Sequence, residues 1–428
     1  MIARVMKIWA PRAKNASRVA GRGGVVMPRA RSAARPSAPA RSAATLSLGD
    51  PWLLGAALTL LVLGVVMVSS ASLNIAERQF GHPFYYIIRQ VAFVMVGVMA
   101  AVLVVRTRLV YWEKAGSTLL LVGMVLLALV LLPGIGKVIN GSQRWVSLGL
   151  FNLQASEPVK LFVVVYIAGY LVRHGAEVRA SVLGFIKPML LLTLIALLLL
   201  LEPDFGATAV MFATALGMLF LGGARLWPFA ALMAALALAV AGLIFSSPYR
   251  MARLTGFMNP WADPFDSGFQ LTQALIAFGR GEWFGVGLGA SVQKLFYLPE
   301  AHTDFLFAVL AEELGLAGSL AVISLFALLV VRAYIIGRTA EKAGHSFAAY
   351  LAYGLGLWIG LQAIINIGVN MGVLPTKGLT LPLMSYGGSS IVVMCVAVAL
   401  LLRIAHETRA HDHAHTAPVV RAAGAVAS

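Results

Sequence analysis

The chain has 428 residues, 60% of them hydrophobic and only 12% charged, with a mean hydropathy of +0.87. Soluble domains are about a quarter charged, so this composition excludes an ordinary water-soluble enzyme. The formal charge of +16 is concentrated: residues 1–49 hold ten basic side chains and no acidic one, and the remainder carries only +6.

That first segment is rich in Ala, Arg, Ser and Pro and cannot build a core. It reads as a disordered basic tail on the cytoplasmic side, touching anionic lipid. No folded module beside it supports a nucleic-acid partner. No compact apolar core follows its first basic residues, so a cleavable signal peptide is not expected. Ten apolar segments then follow, at about 51–72, 84–105, 117–133, 156–173, 183–201, 206–223, 226–246, 304–332, 346–373 and 384–404. Each is about as long as a bilayer-spanning helix and lacks strict alternation, which points to helices. The third is expected to start after Trp112, Glu113 and Lys114. The fold class is therefore an all-α polytopic membrane protein of about ten transmembrane helices. The only cysteine, Cys395, lies in an apolar run, so no intrachain disulfide can form.

Basic residues in short loops favour the cytoplasm. Arg106, Arg108 and Lys114, then Arg173, Arg179 and Lys187, then Arg332, Arg338 and Lys342 fall on one side if the N-terminus is inside. An even number of crossings puts both termini there, with 406–428 as a cytoplasmic tail. The opposite face then carries a large extracytoplasmic loop, 247–303, between helices 7 and 8. Its aromatics, glycines and mixed charges suggest a folded loop packed against the helices. Within it, Gly281, Gly285, Gly287 and Gly289 suggest a tight turn; no βαβ unit surrounds them, so they are not a dinucleotide motif.

The chemistry-bearing residues gather on the outer side. Asp304 stands where the long loop meets the eighth helix, in Pro299-Glu300-Ala301-His302-Thr303-Asp304-Phe305. Two readings stay open: a helix cap, alone or with Thr303, or a general base facing a cavity. Glu300, His302 and Asp304 alone are too few for a metal site, and none is assigned. Ser156 is expected to cap the fourth helix. Glu157 and Lys160, three apart, share a face; they form a local ion pair, or Lys160 holds a phosphate in an aqueous cavity. Arg144 suits bidentate phosphate binding and Trp145 a sugar face. Ser389 and Ser390 follow Gly387-Gly388 and can cap or line a cavity. Glu312 and Glu313 are expected as buried partners of basic or backbone groups.

Several long motifs occur in order: Asn140 to Trp145 (NGSQRW), Ser156 to Leu161 (SEPVKL), Pro203 to Gly206 (PDFG), Asn259 to Gln270 (NPWADPFDSGFQ), Gln273 to Gly279 (QALIAFG), Pro299 to Phe305 (PEAHTDF) and Leu381 to Ser390 (LPLMSYGGSS). In these the chain resembles the SEDS family of polytopic cell-wall proteins over residues 50–405. Met371 to Pro382 and Ala301 resemble the division-type branch. The resemblance implies a peptidoglycan glycosyltransferase that polymerises lipid II at the division septum of the bacterial inner membrane. It implies Asp304 as catalytic base, Lys160 and Arg144 as countercharges, and Glu157 orienting Lys160. Trp145, His302, Thr303 and Ser389 would contact substrate, with room for a divalent cation, Mg or Mn. Its implied partners are a class B penicillin-binding protein transpeptidase and other divisome membrane proteins. A lipid II flippase and a non-enzymatic scaffold are the rival activities.

Overall fold

The computed structural model describes residues 49–424, apart from 140–141, 148, 150, most of 226–256, 266–267, 296–297 and 376–377, with side chains described as far as 410. The basic tail, the expected seventh crossing and part of the long loop therefore lie outside the described residues.

Eight helices among these residues are long and apolar enough to cross a membrane. They are α1 (Pro51–Phe80), α2 (Tyr85–Arg106), α3 (Leu109–Leu131), α4 (Ser156–Ala180), α5 (Val182–Leu201), α8 (Leu306–Lys342), α9 (Ser346–Asn370) and α10 (Gly388–Gly424). A ninth apolar helix, α6 (Phe205–Leu221), has 17 residues. In lipid, such segments must satisfy their own backbone hydrogen bonds, and a helix does so within one segment. α7 (Phe269–Gly281) belongs to the long loop and buries Leu271, Thr272, Ala274 and Ala277.

Local chemistry sets several boundaries. Asp50 accepts from Leu53 N at 3.1 Å and Pro51 opens α1. Gly81, at φ 66°, ends it. Asp204 caps α6 by accepting from Ala207 N at 3.1 Å. Two expected boundaries move. α3 begins at Leu109, so Trp112, Glu113 and Lys114 lie inside its first turns; the Trp112 indole is held by Thr107 Oγ1 at 2.9 Å. Ser156 does not cap α4: Ala155 holds that position, and the Ser156 hydroxyl donates to Asp204 Oδ2 at 2.9 Å.

α4, α9 and α10 bury most of their surface, whereas α2 presents most of its side chains outward. α8 packs on α9, α1 and α7; α10 packs on α2; and α4 packs on α3, α9, α6 and α5. One feature was not anticipated from hydropathy. Between α3 and α4 lies a three-stranded antiparallel sheet, β1 (Gly136–Ile139), β2 (Ser142–Ser147) and β3 (Asn152–Gln154), in the order β1-β2-β3. Ile139 pairs with Ser142, and the residues between them are Asn140 and Gly141, the pair most favoured in two-residue hairpins.

Candidate active site

Four connections meet at the sheet end of the bundle: the sheet itself, the α5–α6 turn, the segment 298–305 before α8, and the segment 378–387 before α10.

The sheet fixes the first of these. β2 carries Arg144 and Trp145, both half-buried, with Trp145 paired to Lys137 on one side and Gln154 on the other. Arg144 Nε donates to the Glu202 carbonyl at 3.1 Å, and one terminal nitrogen donates to the Pro203 carbonyl. This clamps a turn in which Pro203 sits at φ 31°. A guanidinium has five N–H donors, and among the described residues the remaining ones have no hydrogen-bond partner, which suits an anion. The turn also buries Asp204, which accepts from Ser156 and, at 3.4 Å, from Gln154 Nε2. Gln154 N in turn donates to Ser389 Oγ at 3.0 Å, tying β3 to the start of α10.

Lys160 is 2% exposed. Its ammonium donates to Glu157 Oε1 and to Gln362 Oε1, each at 2.9 Å, and lies 5.5 Å from the centre of the Trp358 ring. Of the two readings open for this pair, the geometry matches the ion pair. The same contacts also carry it into the polar network of α9.

Asp304 is half-buried. Neither it nor Thr303 caps α8. Phe305 holds the cap position with no side-chain bond, and Thr303 Oγ1 donates back to Glu300 Oε2 at 2.7 Å. Instead Asn370 Oδ1, from α9, accepts from Ala308 N at 3.1 Å. The Asp304 backbone carbonyl accepts from Asn366 Nδ2 at 2.8 Å and Asn370 Nδ2 at 2.9 Å. Among the described residues no hydrogen bond reaches its carboxylate. A Cβ on Gly378 would stand 3.1 Å from Asp304 Oδ2, so the glycine passes this oxygen without crowding it.

Burial pushes the Asp304 carboxyl up to about 7; the charge of Glu300 adds to this, Arg144 opposes it, and Asp204 adds again. Asp304, Glu300, Arg144 and Asp204 thus share one electrostatic field. Glu202, fully buried, is raised to about 8 by burial and then by Asp204, against Arg144. Neither of its carboxyl oxygens has a hydrogen-bond partner among the described residues. His302 is buried against Tyr86 and Tyr386, with ring centroids 4.5 Å and 5.5 Å away, and burial lowers its pKa.

The described residues include no group of three His, Cys, Asp or Glu side chains arranged to hold a metal ion. A cavity of about 690 Å³ opens at the other end of the bundle, lined by Arg108, Glu113, His345, Arg403, His406 and Glu407 among others. None of the sequence-predicted site residues borders it.

The family profile described as cell cycle protein, FtsW/RodA/SpoVE, matches residues 51–410. The chain belongs to this family. It is 64% identical over 360 residues, 84% of this chain and 93% of the relative, to the probable peptidoglycan glycosyltransferase FtsW of Nitrosococcus halophilus. It is 56% identical over 364 residues, 85% of this chain and 92% of the relative, to the protein of the same name from Legionella pneumophila. Among solved structures, a chain in a peptidoglycan synthase complex that coordinates polymerization and crosslinking matches with a TM-score of 0.69 at 28% identity, covering 85% of this chain and 99% of that one. The rod shape determining protein RodA of Thermus thermophilus matches with a TM-score of 0.63 at 26% identity, covering 85% and 98%.

Against this family background, the residues that sequence reasoning missed are Gln154, Gln362, Asn366 and Asn370. All are neutral amides, and a search for ionisable groups passes over them. The signal for three of them was present: Gln362, Asn366 and Asn370 recur every four residues in an otherwise apolar helix.

Proposed function

We propose that the chain is a peptidoglycan glycosyltransferase that polymerises lipid II, with Asp304 as its general base. The observation that carries the catalytic assignment is the Asp304 carboxylate: half-buried, without a hydrogen bond among the described residues, and raised to about 7 beside Arg144. A base working near neutral pH needs a pKa in that range. Family membership and relatives named for this reaction support the same reading.

In the proposed step, Asp304 takes the proton of the acceptor GlcNAc 4-hydroxyl. The freed oxygen attacks the anomeric carbon of the donor MurNAc, inverting it from α to β. The bond to the pyrophosphate breaks, and undecaprenyl pyrophosphate leaves with the electron pair. Negative charge then builds on the pyrophosphate, and fixed cations stabilise it most when they need no reorganisation. Arg144, with one edge of its guanidinium uncommitted, takes that role first. Lys160 contributes a positive charge from behind, held by Glu157. Trp145, His302, Thr303 and Ser389 are proposed to border the sugars.

The same proposal places the sheet end of the bundle outside the bacterial inner membrane, at the septum, with both termini cytoplasmic. It takes a class B penicillin-binding protein as partner, because a matching chain sits in a polymerising and crosslinking complex. The test is polymerisation of purified lipid II by the protein with that partner. Asp304→Ala is expected to abolish polymer while leaving the folded yield and the partner complex intact. Polymer made at the parent rate by Asp304→Ala would overturn the assignment, and would leave a flippase or scaffold to be tested by lipid II translocation.

A further inference from the structure

Gln362, Asn366 and Asn370 stand four residues apart on α9, so they share one face of that helix. Their exposures are 0%, 2% and 0%. A buried amide without partners is costly, so three on one face call for a reason. Each amide meets a defined group. Gln362 Oε1 accepts from Lys160 Nζ at 2.9 Å and from Trp358 Nε1 at 3.0 Å, while its Nε2 donates to the Thr380 carbonyl at 3.0 Å. Asn366 Nδ2 donates to two carbonyls, Leu379 at 2.6 Å and Asp304 at 2.8 Å. Asn370 Nδ2 donates to Asp304 O at 2.9 Å and to Asn366 O at 2.8 Å. Its Oδ1 accepts from Ala308 N at 3.1 Å.

These contacts form a ladder about 12 Å long, at about 1.5 Å per residue. Its lower rung holds Lys160 and its upper rungs hold the backbone of Asp304. Between them it grips Leu379 and Thr380. That strip continues from Gly378, whose Cα side lies against Asp304 Oδ2. The ladder thus ties the Asp304 backbone, the strip 379–380 and a buried cation to a single helix. Packing alone would not require that all of its donors end on these carbonyls.

We infer that Gln362, Asn366 and Asn370 are positioning residues that hold the Asp304 backbone, and through it the carboxylate, in place against the strip 378–380. This rests on the reading of Asp304 as the base. The three amides touch no reacting atom; they act through Asp304 and residues 378–380. A base misplaced by about 1 Å loses on the order of a hundredfold in rate.

The test compares the parent, Asn366→Leu and Asn366→Asp in lipid II polymerisation with the partner present. Rates are taken per folded molecule, alongside melting temperature. Asn366→Leu keeps volume but donates nothing; kcat is expected to fall about 10–100-fold with KM for lipid II within about twofold of the parent. Asn366→Asp donates only when protonated, so its kcat relative to the parent should recover as pH falls from 8 to 6. A lowered melting temperature with kcat per folded molecule unchanged would make the ladder structural only and overturn the inference. So would an Asn366→Asp to parent ratio that is flat across pH; this arm stands even where Asn366→Leu fails to fold. A parent that makes no polymer would instead overturn the activity itself, and with it this inference.

Discussion

A carboxylate raised to about 7 has a direct kinetic consequence. Only ionised Asp304 can take a proton. Its ordinary value lies near 3.8, so a value of about 7 means that roughly half the molecules are base-competent at neutral pH. The polymerisation rate should therefore rise as pH increases through 7, and should fall off below 6. Desolvation causes most of the shift and is fixed by the fold, but the Glu300 contribution can be removed. Glu300→Gln keeps an oxygen for the Thr303 hydroxyl while deleting the charge. A like charge disfavours ionisation, so its loss should move the acid limb of the pH–rate profile to lower pH. An unmoved acid limb in Glu300→Gln would separate Asp304 from the group that titrates in the rate.

At the level of elements, the long loop and α8 are joined where α8 breaks. Gly315 sits at φ 65° inside the helix. Its break frees backbone groups, and the loop takes them up: Val286 N and Gly287 N donate to the Glu312 and Glu313 carbonyls, while Leu316 N and Ala317 N donate to the Glu282 and Trp283 carbonyls. Gly285 permits the approach, since a Cβ there would lie 2.1 Å from the Glu313 carbonyl oxygen. Two buried carboxylates fasten the same junction. Glu312 accepts from Arg280, Ser291, Val292 N and Gln293 N, and Glu313 accepts from Lys294 at 2.8 Å and Ser70 at 2.6 Å. Lys294 and Glu313 have side-chain exposures of 6% and 0%, so deleting the cation strands a buried charge. Lys294→Met should cost about 3–5 kcal/mol. A drop in detergent melting temperature would show it, with partial recovery in Lys294→Met/Glu313→Gln; a single variant as stable as the parent would refute the clasp.

The same elements show what was readable from sequence. Hydropathy finds the spanning helices because lipid leaves few other solutions for a long apolar run. It cannot find β1–β3, where half-buried residues such as Trp145 and Val146 carry no helical or long apolar period; the Asn140-Gly141 pair was the available sign. Asp304, Arg144, Lys160 and Glu157 were visible as charges near membrane edges, where burial is expensive. The Glu157–Lys160 pair was visible from its spacing, but the longer connections of Asp304, Arg144 and Lys160 were not, because they run through backbone carbonyls or neutral amides between segments far apart in the chain.

For the molecule as a whole, the proposed direction across the membrane rests on where its basic residues gather. At the sheet end, Arg144 is spent on carbonyls, Lys160 on Glu157, Arg280 on Glu312 and Lys294 on Glu313. At the other end, basic residues recur in every short connection: Arg106 and Arg108 between α2 and α3, Arg179 between α4 and α5, Arg338 and Lys342 before α9, and Arg403 and Arg409 in α10. Short-loop Lys and Arg favour the cytoplasm, so the proposed orientation has the sheet and Asp304 facing outward. That orientation also suits a substrate whose sugars must be joined outside the cell. Single cysteines in a Cys395→Ala background test it. Ser147→Cys, exposed at the end of β2, should react with a membrane-impermeant maleimide in intact cells. Lys342→Cys, exposed at the end of α8, should react only after permeabilisation. The reverse pattern would put Asp304 on the cytoplasmic side, where finished glycan strands could not be laid into the wall, and would end the polymerase reading along with the orientation.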